Sequence, residues 1–283
     1  MGVGFAFMWS SAFTSAKIAL LYAPPLSLLT VRFLLSGVIA LVVARFLAQP
    51  WPRQLVHWRR IVILGVCQNS LYLGLFFVAM TTVPAGLAAI IASAMPLLVA
   101  AAGALFLQQR LASVALVGLV LGFGGVVLIV QDRLGGDLDG LGLALCLVGV
   151  SALATATLIV RHAELGSGLW MVVGLQMLSG SLTLLPFALW LEWGAPVTLT
   201  TPLVLAFLYT TFVPGLAATL VWFALIRRIG AAEASAYHFL NPAFGVAVAW
   251  LLLHEPLGPF DMAGVAVVAV GILLVQRGPR ASG

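Results

Sequence analysis

Gln68, Tyr72 and Phe76 recur every four residues within an otherwise apolar stretch, with Asn69 and Ser70 beside them. On a helix that spacing places the three side chains on one face. A second stripe, Ser235, His238 and Asn241, recurs every three residues and has Tyr237 next to it. Amides, phenols and an imidazole among apolar neighbours suit the recognition of a small molecule by hydrogen bonds. Trp9, Phe13, Trp222 and Phe244 add aromatic surface suited to the walls of a site for an apolar or aromatic ligand. Bond-breaking chemistry is not written here. The chain has no HExxH zinc motif, no Gly-x-Ser-x-Gly elbow and no Walker loop, and no cofactor is called for.

Each of these residues also has a plainer reading. Gln68 and Asn241 read equally well as interhelical hydrogen-bonding groups, worth about 0.6–2 kcal/mol per contact in a membrane. Tyr237 and His238 are read as cavity residues, and His238 is the one titrating group expected inside an apolar interior. Pro96, Pro242 and Pro214 fall in mid-run, where a missing N–H and a ring clash bend a helix. They are read as kinks, with a hinge open for the first two. Lys17 and Arg32 lie near the ends of adjacent runs, and snorkelling to the interface is the default reading. A gating or carboxylate-binding role stays open for both, Arg32 having the stronger claim because a planar guanidinium suits a bidentate contact. Glu233 is read as stabilising a helix start.

The elements that position these groups follow from composition. Hydrophobic residues make up 63% of the 283 and charged residues 7%, against roughly 25% charged in an average soluble domain. Thirteen Lys and Arg with eight Asp and Glu cannot cover the surface of a soluble globule this size. A soluble enzyme, a disordered chain and a nucleic-acid binder are excluded, the last because the basic residues sit in short loops. Charges and Pro/Gly punctuation cut the chain into ten apolar runs, near 3–22, 27–47, 61–80, 85–107, 112–130, 139–160, 168–190, 202–226, 232–253 and 260–276. Each is long enough to cross a bilayer as a helix. The fold class is an all-α integral membrane protein of ten transmembrane helices. With the N-terminus cytoplasmic, Arg45, Arg53, Arg59, Arg60, Arg110, Arg161, Arg227, Arg228, Arg277 and Arg280 all fall inside and only Arg133 outside, so both termini are placed in the cytoplasm.

The chain also repeats itself. A shift of 146 residues lays Met95-Pro96 on Asn241-Pro242, Gln109-x-Leu111 on Glu255-x-Leu257, Gly118 on Gly264 and Gly125 on Gly271. A shift of 143 lays Leu35-Ser36-Gly37 on Leu178-Ser179-Gly180. Two five-helix repeats, 1–131 and 139–276, account for this, and an odd number of spans gives the second an inverted topology, as in many secondary transporters. The stripe at 235, 238 and 241 corresponds to Ala89, Ala92 and Met95, so it is polar in one repeat only, as one wall of a substrate cavity would be. Gly118 and Gly122 form a small-xxx-small pair that close packing within the chain explains as well as dimerisation does, and the oligomeric state stays open.

Ten spans split five and five, the Trp9-Ser10 start, Lys17 then Arg32 in the first two spans, paired prolines in the fourth and ninth, and His254-Glu255-Pro256-Leu257 closing the ninth resemble the drug/metabolite transporter superfamily, EamA type. Gln109 departs from the acidic residue expected at the matching place. The resemblance implies export of amino acids or related metabolites across the inner membrane by alternating access. Aromatic-amino-acid exporters of the YddG type are the nearest in kind. The implied partners are a small-molecule substrate and the lipid bilayer, with no nucleic acid. No Asp or Glu falls at the middle of a run, so movement is expected to be facilitated rather than coupled to protons or sodium. A drug, nucleotide-sugar or other metabolite carrier is the nearest alternative, and a membrane scaffold or enzyme the alternative of another class.

Overall fold

The computed structural model describes residues 1–106, 139–162, 166–229, 234, 236–254 and 258–277, with scattered positions between 113 and 128. Among the described residues all regular structure is helical. In chain order the helices are α1 (Gly2–Leu20), α2 (Pro25–Phe46), α3 (Leu55–Ala79), α4 (Ala85–Ala92), α5 (Met95–Phe106), α6 (Gly140–His162), α7 (Leu169–Leu191), α8 (Thr201–Ile229), α9 (Asn241–Leu253) and α10 (Pro259–Arg277). Six of them, α1, α2, α3, α6, α7 and α8, are long and apolar enough to cross a membrane. Each covers one of the apolar runs. The run at 112–130 is described only at scattered positions, and Gln109, Glu233, Ser235 and Glu255-Pro256-Leu257 lie outside the described residues.

Pro96 and Pro242 sit where helices are interrupted, whereas Pro214 lies within a continuous one. The run at 85–107 breaks at Ser93-Ala94, and Pro96 is the second residue of α5. Its missing N–H is harmless in a first turn, where no intrahelical partner exists. Leu97 and Leu98 both donate from the backbone to the Ala94 carbonyl there, at 3.0 and 3.2 Å. The ninth run likewise divides into a 3₁₀ turn, Ala236–Leu240, and α9, with Pro242 in the first turn of the α-helix. Pro214 lies inside a π-helical stretch of α8, Thr211–Ala217. A second π-helical stretch, Val66–Leu73, lies in α3 and contains no proline.

Small residues set the closest helix approaches. A Cβ on Gly37 would lie 3.1 Å from the Gly174 carbonyl oxygen, and one on Gly174 would lie 3.1 Å from the Gly37 carbonyl, so α2 and α7 cross nearly backbone to backbone. A Cβ on Gly271 would meet the Gly118 carbonyl oxygen and the Gly122 nitrogen at 2.5 Å, which puts that glycine pair in contact with α10 of the same chain. α1 packs against α8 and α9, α3 against α6 and α7, and α4 against α9.

Charges at one end of the bundle are consumed in helix termini. The Glu192 carboxylate accepts from the backbone N–H of Leu26 at 2.8 Å and of Ser27 at 2.7 Å, satisfying the free amides that open α2. Asp139 accepts from the Leu141 N–H at 3.0 Å and from the Thr82 hydroxyl at 3.0 Å. Lys17 does not snorkel outward. Its Nζ donates to the carbonyls of Met80 at 2.5 Å and Val83 at 3.1 Å, which would otherwise be left open past the end of α3.

Candidate functional site

One narrow cavity, with about 30 Å³ open to the centre of a water molecule, lies among α1, α2, α3, α7 and α8. Trp9 and Phe13 come from α1, Gln68, Asn69, Tyr72 and Phe76 from α3, and Pro214, Gly215 and Thr219 from α8. The aromatic side is continuous. Trp9 and Tyr72 lie parallel with ring centroids 6.5 Å apart, Tyr72 and Phe76 are 4.8 Å apart, and Phe76 and Phe13 are 6.0 Å apart.

Arg32 faces this wall. It lines the cavity, is 3% exposed, and its Nε has no hydrogen-bond partner in the protein. It stands about 10 Å along α2 from the helix start, at 1.5 Å per residue, and snorkelling fails because the side chain points to the bundle interior. Room for the guanidinium comes from α8: a Cβ on Gly215 would lie 3.3 Å from Nη2 of Arg32 and 2.7 Å from the Thr210 carbonyl oxygen. No Asp or Glu is among the described cavity residues, and Glu192, the acid that meets α2, is occupied by backbone amides. The cavity thus carries a buried cation without a carboxylate beside it.

The polar residues of α3 divide by role. Gln68 lines the cavity, and so does Asn69, which also carries the interhelical bonds. Asn69 Nδ2 donates to the Gln176 backbone carbonyl at 2.9 Å and to its Oε1 at 3.1 Å, tying α3 to α7. Ser70 points away, to the Gly180 carbonyl and the Thr183 hydroxyl of α7. Neither Gln176 nor the cavity residues Phe33, Met177 and Gly215 stood out in the sequence. Gln176 carried a legible signal, as an amide within an apolar run.

Trp222, Tyr237, His238 and Asn241 do not line this cavity. His238 and Trp222 are buried behind Trp9 in a cluster with Phe5, the imidazole standing edge-on to Phe5, Trp9 and Trp222 at 5.1, 5.5 and 4.8 Å between centroids. Asn241 is spent on structure: its Oδ1 accepts from the Ser10 hydroxyl at 3.0 Å, and its Nδ2 lies 2.9 Å from His238 Nδ1. With the amide oriented so, Nδ1 accepts and the proton sits on Nε2. Tyr237 packs at the start of α1, where a Cβ on Gly2 would fall 2.1 Å from its ring. Phe244 pairs with the half-exposed Phe7 at 5.7 Å, toward the outside of the bundle. Pro214 lines the cavity, whereas Pro96 and Lys17 lie outside its lining.

Comparison with known proteins places this arrangement among relatives. A model of the EamA-like transporter family matches residues 1–131 and again 140–277. "Uncharacterized transporter YvbV" of Bacillus subtilis is 29% identical, covering 97% of this chain and 90% of its own. "Probable amino-acid metabolite efflux pump" of Salmonella typhimurium is 28% identical over 98% of this chain and 95% of its own, and the protein of the same name in Escherichia coli is 26% identical over 96% and 92%. A solved structure described only as the crystal structure of a protein shares the fold, with a TM-score of 0.69 over 96% of this chain and 94% of that one at 17% identity.

Proposed function

The chain belongs to the EamA-like transporter family, within the drug/metabolite transporter superfamily, and from that premise we propose that it exports small metabolites with a carboxylate and an apolar or aromatic body. Amino acids and their derivatives are that class. The observation that carries this reading is Arg32, buried in an aromatic-walled cavity with no acid among its described lining residues. A charge held in a low-dielectric interior costs several kcal/mol unless it is paired. A cargo carboxylate offsets that cost through charge-assisted hydrogen bonds to the guanidinium, while Trp9, Phe13, Tyr72 and Phe76 receive its apolar part. The efflux-pump names of the relatives support the direction of movement.

Alternating access between two five-helix inverted repeats, 1–131 and 139–276, is the mechanism we infer, with both termini cytoplasmic. The family match in two stretches supports the division. The π-helical stretch at Pro214, which lines the cavity, and the helix interruptions at Pro96 and Pro242 support movement about those prolines. Transport is facilitated, since no carboxylate stands in the described cavity to carry a coupling ion. Counterflow in proteoliposomes of the purified protein, run across amino acids, sugars and nucleosides, tests the reading. Saturable exchange confined to carboxylate-bearing compounds is expected. Exchange of sugars or nucleosides in their place overturns it, and so does concentrative uptake driven by a pH step alone and abolished by His238→Ala.

A further inference from the structure

The charge balance of the cavity sharpens the cargo class. We propose that the site selects cargo with a net charge of −1, a carboxylate without a compensating ammonium, over zwitterionic amino acids, and that Arg32 makes the selection. This rests on the reading of the cavity as the cargo site.

Arg32 supplies one positive charge, and its Nε lacks a protein acceptor. Gln176, wholly buried behind Asn69, leaves a second donor unmet, since its Oε1 takes the Asn69 bond while its Nε2 has no partner. What the surroundings lack is an acceptor with negative charge. A monoanion brings the cavity to neutrality. A zwitterion adds as much positive charge as negative and leaves the guanidinium uncompensated overall. Gln68, Asn69 and Tyr72 can accept hydrogen bonds from an ammonium group, but neutral dipoles do not cancel its charge. The charges outside the lining supply no acceptor to the cavity: Lys17, bonded to the carbonyl of the lining residue Met80, is another cation, and the Glu192 carboxylate is turned to the backbone amides that open α2. The remaining lining residues, Phe33, Phe77, Met80 and Met177 among them, carry no acid.

A consequence follows for the driving force. Carrying a monoanion moves one negative charge per cycle, whatever the protein's own charge, so an inside-negative potential drives it outward without a coupling ion. At 100 mV that corresponds to a roughly 50-fold equilibrium ratio.

The test uses the whole protein in proteoliposomes loaded with phenylpyruvate. In competition for counterflow, 3-phenylpropionate and N-acetylphenylalanine should half-inhibit at concentrations at least tenfold below phenylalanine, and phenethylamine should not compete. A valinomycin-clamped potential of 100 mV, inside negative, should push phenylpyruvate out toward that 50-fold ratio. Arg32→Gln should raise the half-saturation for the anions at least tenfold and reverse the preference between 3-phenylpropionate and its neutral amide. The wild-type competition and potential measurements decide the matter even if that variant fails to fold. Saturable phenylalanine exchange that the anions inhibit no better than phenylalanine itself overturns the charge rule and leaves the transporter reading standing. Absence of exchange for every compound overturns both.

Discussion

Gly65→Ala is the sharpest test of how the cavity is held. Gly65 ends the first α-helical part of α3, just before the π-helical stretch that delivers Gln68, Asn69 and Tyr72. A Cβ at this position would lie 2.3 Å from the Gln176 carbonyl oxygen and 2.9 Å from the Ser179 Cβ. Both obstacles are fixed to the backbone of α7, so no side-chain rotation relieves them. The helices must separate by about 1 Å, and overpacking of this kind costs about 1–3 kcal/mol. The same displacement takes the two Asn69 bonds to Gln176, now 2.9 and 3.1 Å, past hydrogen-bonding range. Interhelical bonds in membranes contribute about 0.6–2 kcal/mol, which brings the expected loss to roughly 2–5 kcal/mol. At about 2–4 °C per kcal/mol for a large domain, Tm in detergent falls by at least about 4 °C. Maleimide labelling of the buried Cys146 during a thermal ramp reports it. Gly4→Ala and Gly140→Ala, where nothing lies within 4 Å of the added carbon, serve as controls and should melt with the wild type. If Gly65→Ala melts with them and keeps wild-type half-saturation for cargo, the close approach of α3 and α7 is refuted.

Lys17→Met removes the donor to the Met80 and Val83 carbonyls. With water able to replace part of that contact, a loss of about 1–2 kcal/mol is expected, seen as a lower Tm with the cargo preference unchanged. Phe13→Leu keeps apolar bulk in the cavity but removes one ring of the aromatic wall. The ratio of half-saturation for aromatic to aliphatic cargo should rise about 2- to 12-fold, the equivalent of 0.5–1.5 kcal/mol for an aromatic contact, and that ratio is insensitive to how much protein folds. Gly271→Leu should lower Tm without changing the mass measured by light scattering, because it collides with Gly118 and Gly122 of the same chain. A dimer dissociated at unchanged Tm would show that these glycines form an interface between copies.

The long helices were legible because a bilayer-spanning helix is a matter of length and apolarity, and both are visible along residues 2–20, 25–46 and 169–191. Faces were harder to read. α2 is apolar apart from Ser27, Thr30, Arg32, Ser36 and the terminal Arg45, too few polar positions to say which side meets the protein. The interior position of Arg32 depends on packing against α7 and α8. The four-residue stripe of α3 was read on α-helical geometry, but i→i+5 bonding in the π-helical stretch widens the turn. Asn69, expected only to flank the stripe, therefore joins Gln68 and Tyr72 at the cavity. The three-residue spacing of His238 and Asn241 has a different origin. His238 lies in the 3₁₀ turn, where positions i and i+3 stack, and Asn241 opens α9 directly after it, so the two side chains bond each other.

The two π-helical stretches bear on why the cation is where it is. At the 146-residue shift Gln68 aligns with Pro214, Asn69 with Gly215 and Leu73 with Thr219, and all six line the cavity. The aligned positions have taken opposite parts. In α3 the amides remain, one facing the cavity and one also tying α3 to α7. In α8 a proline and a glycine stand in their place, and the missing side chain at Gly215 is what admits the guanidinium. A side chain at 215 would place its Cβ 2.7 Å from the Thr210 carbonyl oxygen and 3.3 Å from Nη2, so an asparagine there would strain α8 and crowd the guanidinium. Under the proposed repeat, the glycine at 215 is what distinguishes the two walls, and it is the one that leaves room for an arginine inside the bundle, where the proposed cargo carboxylate would meet it.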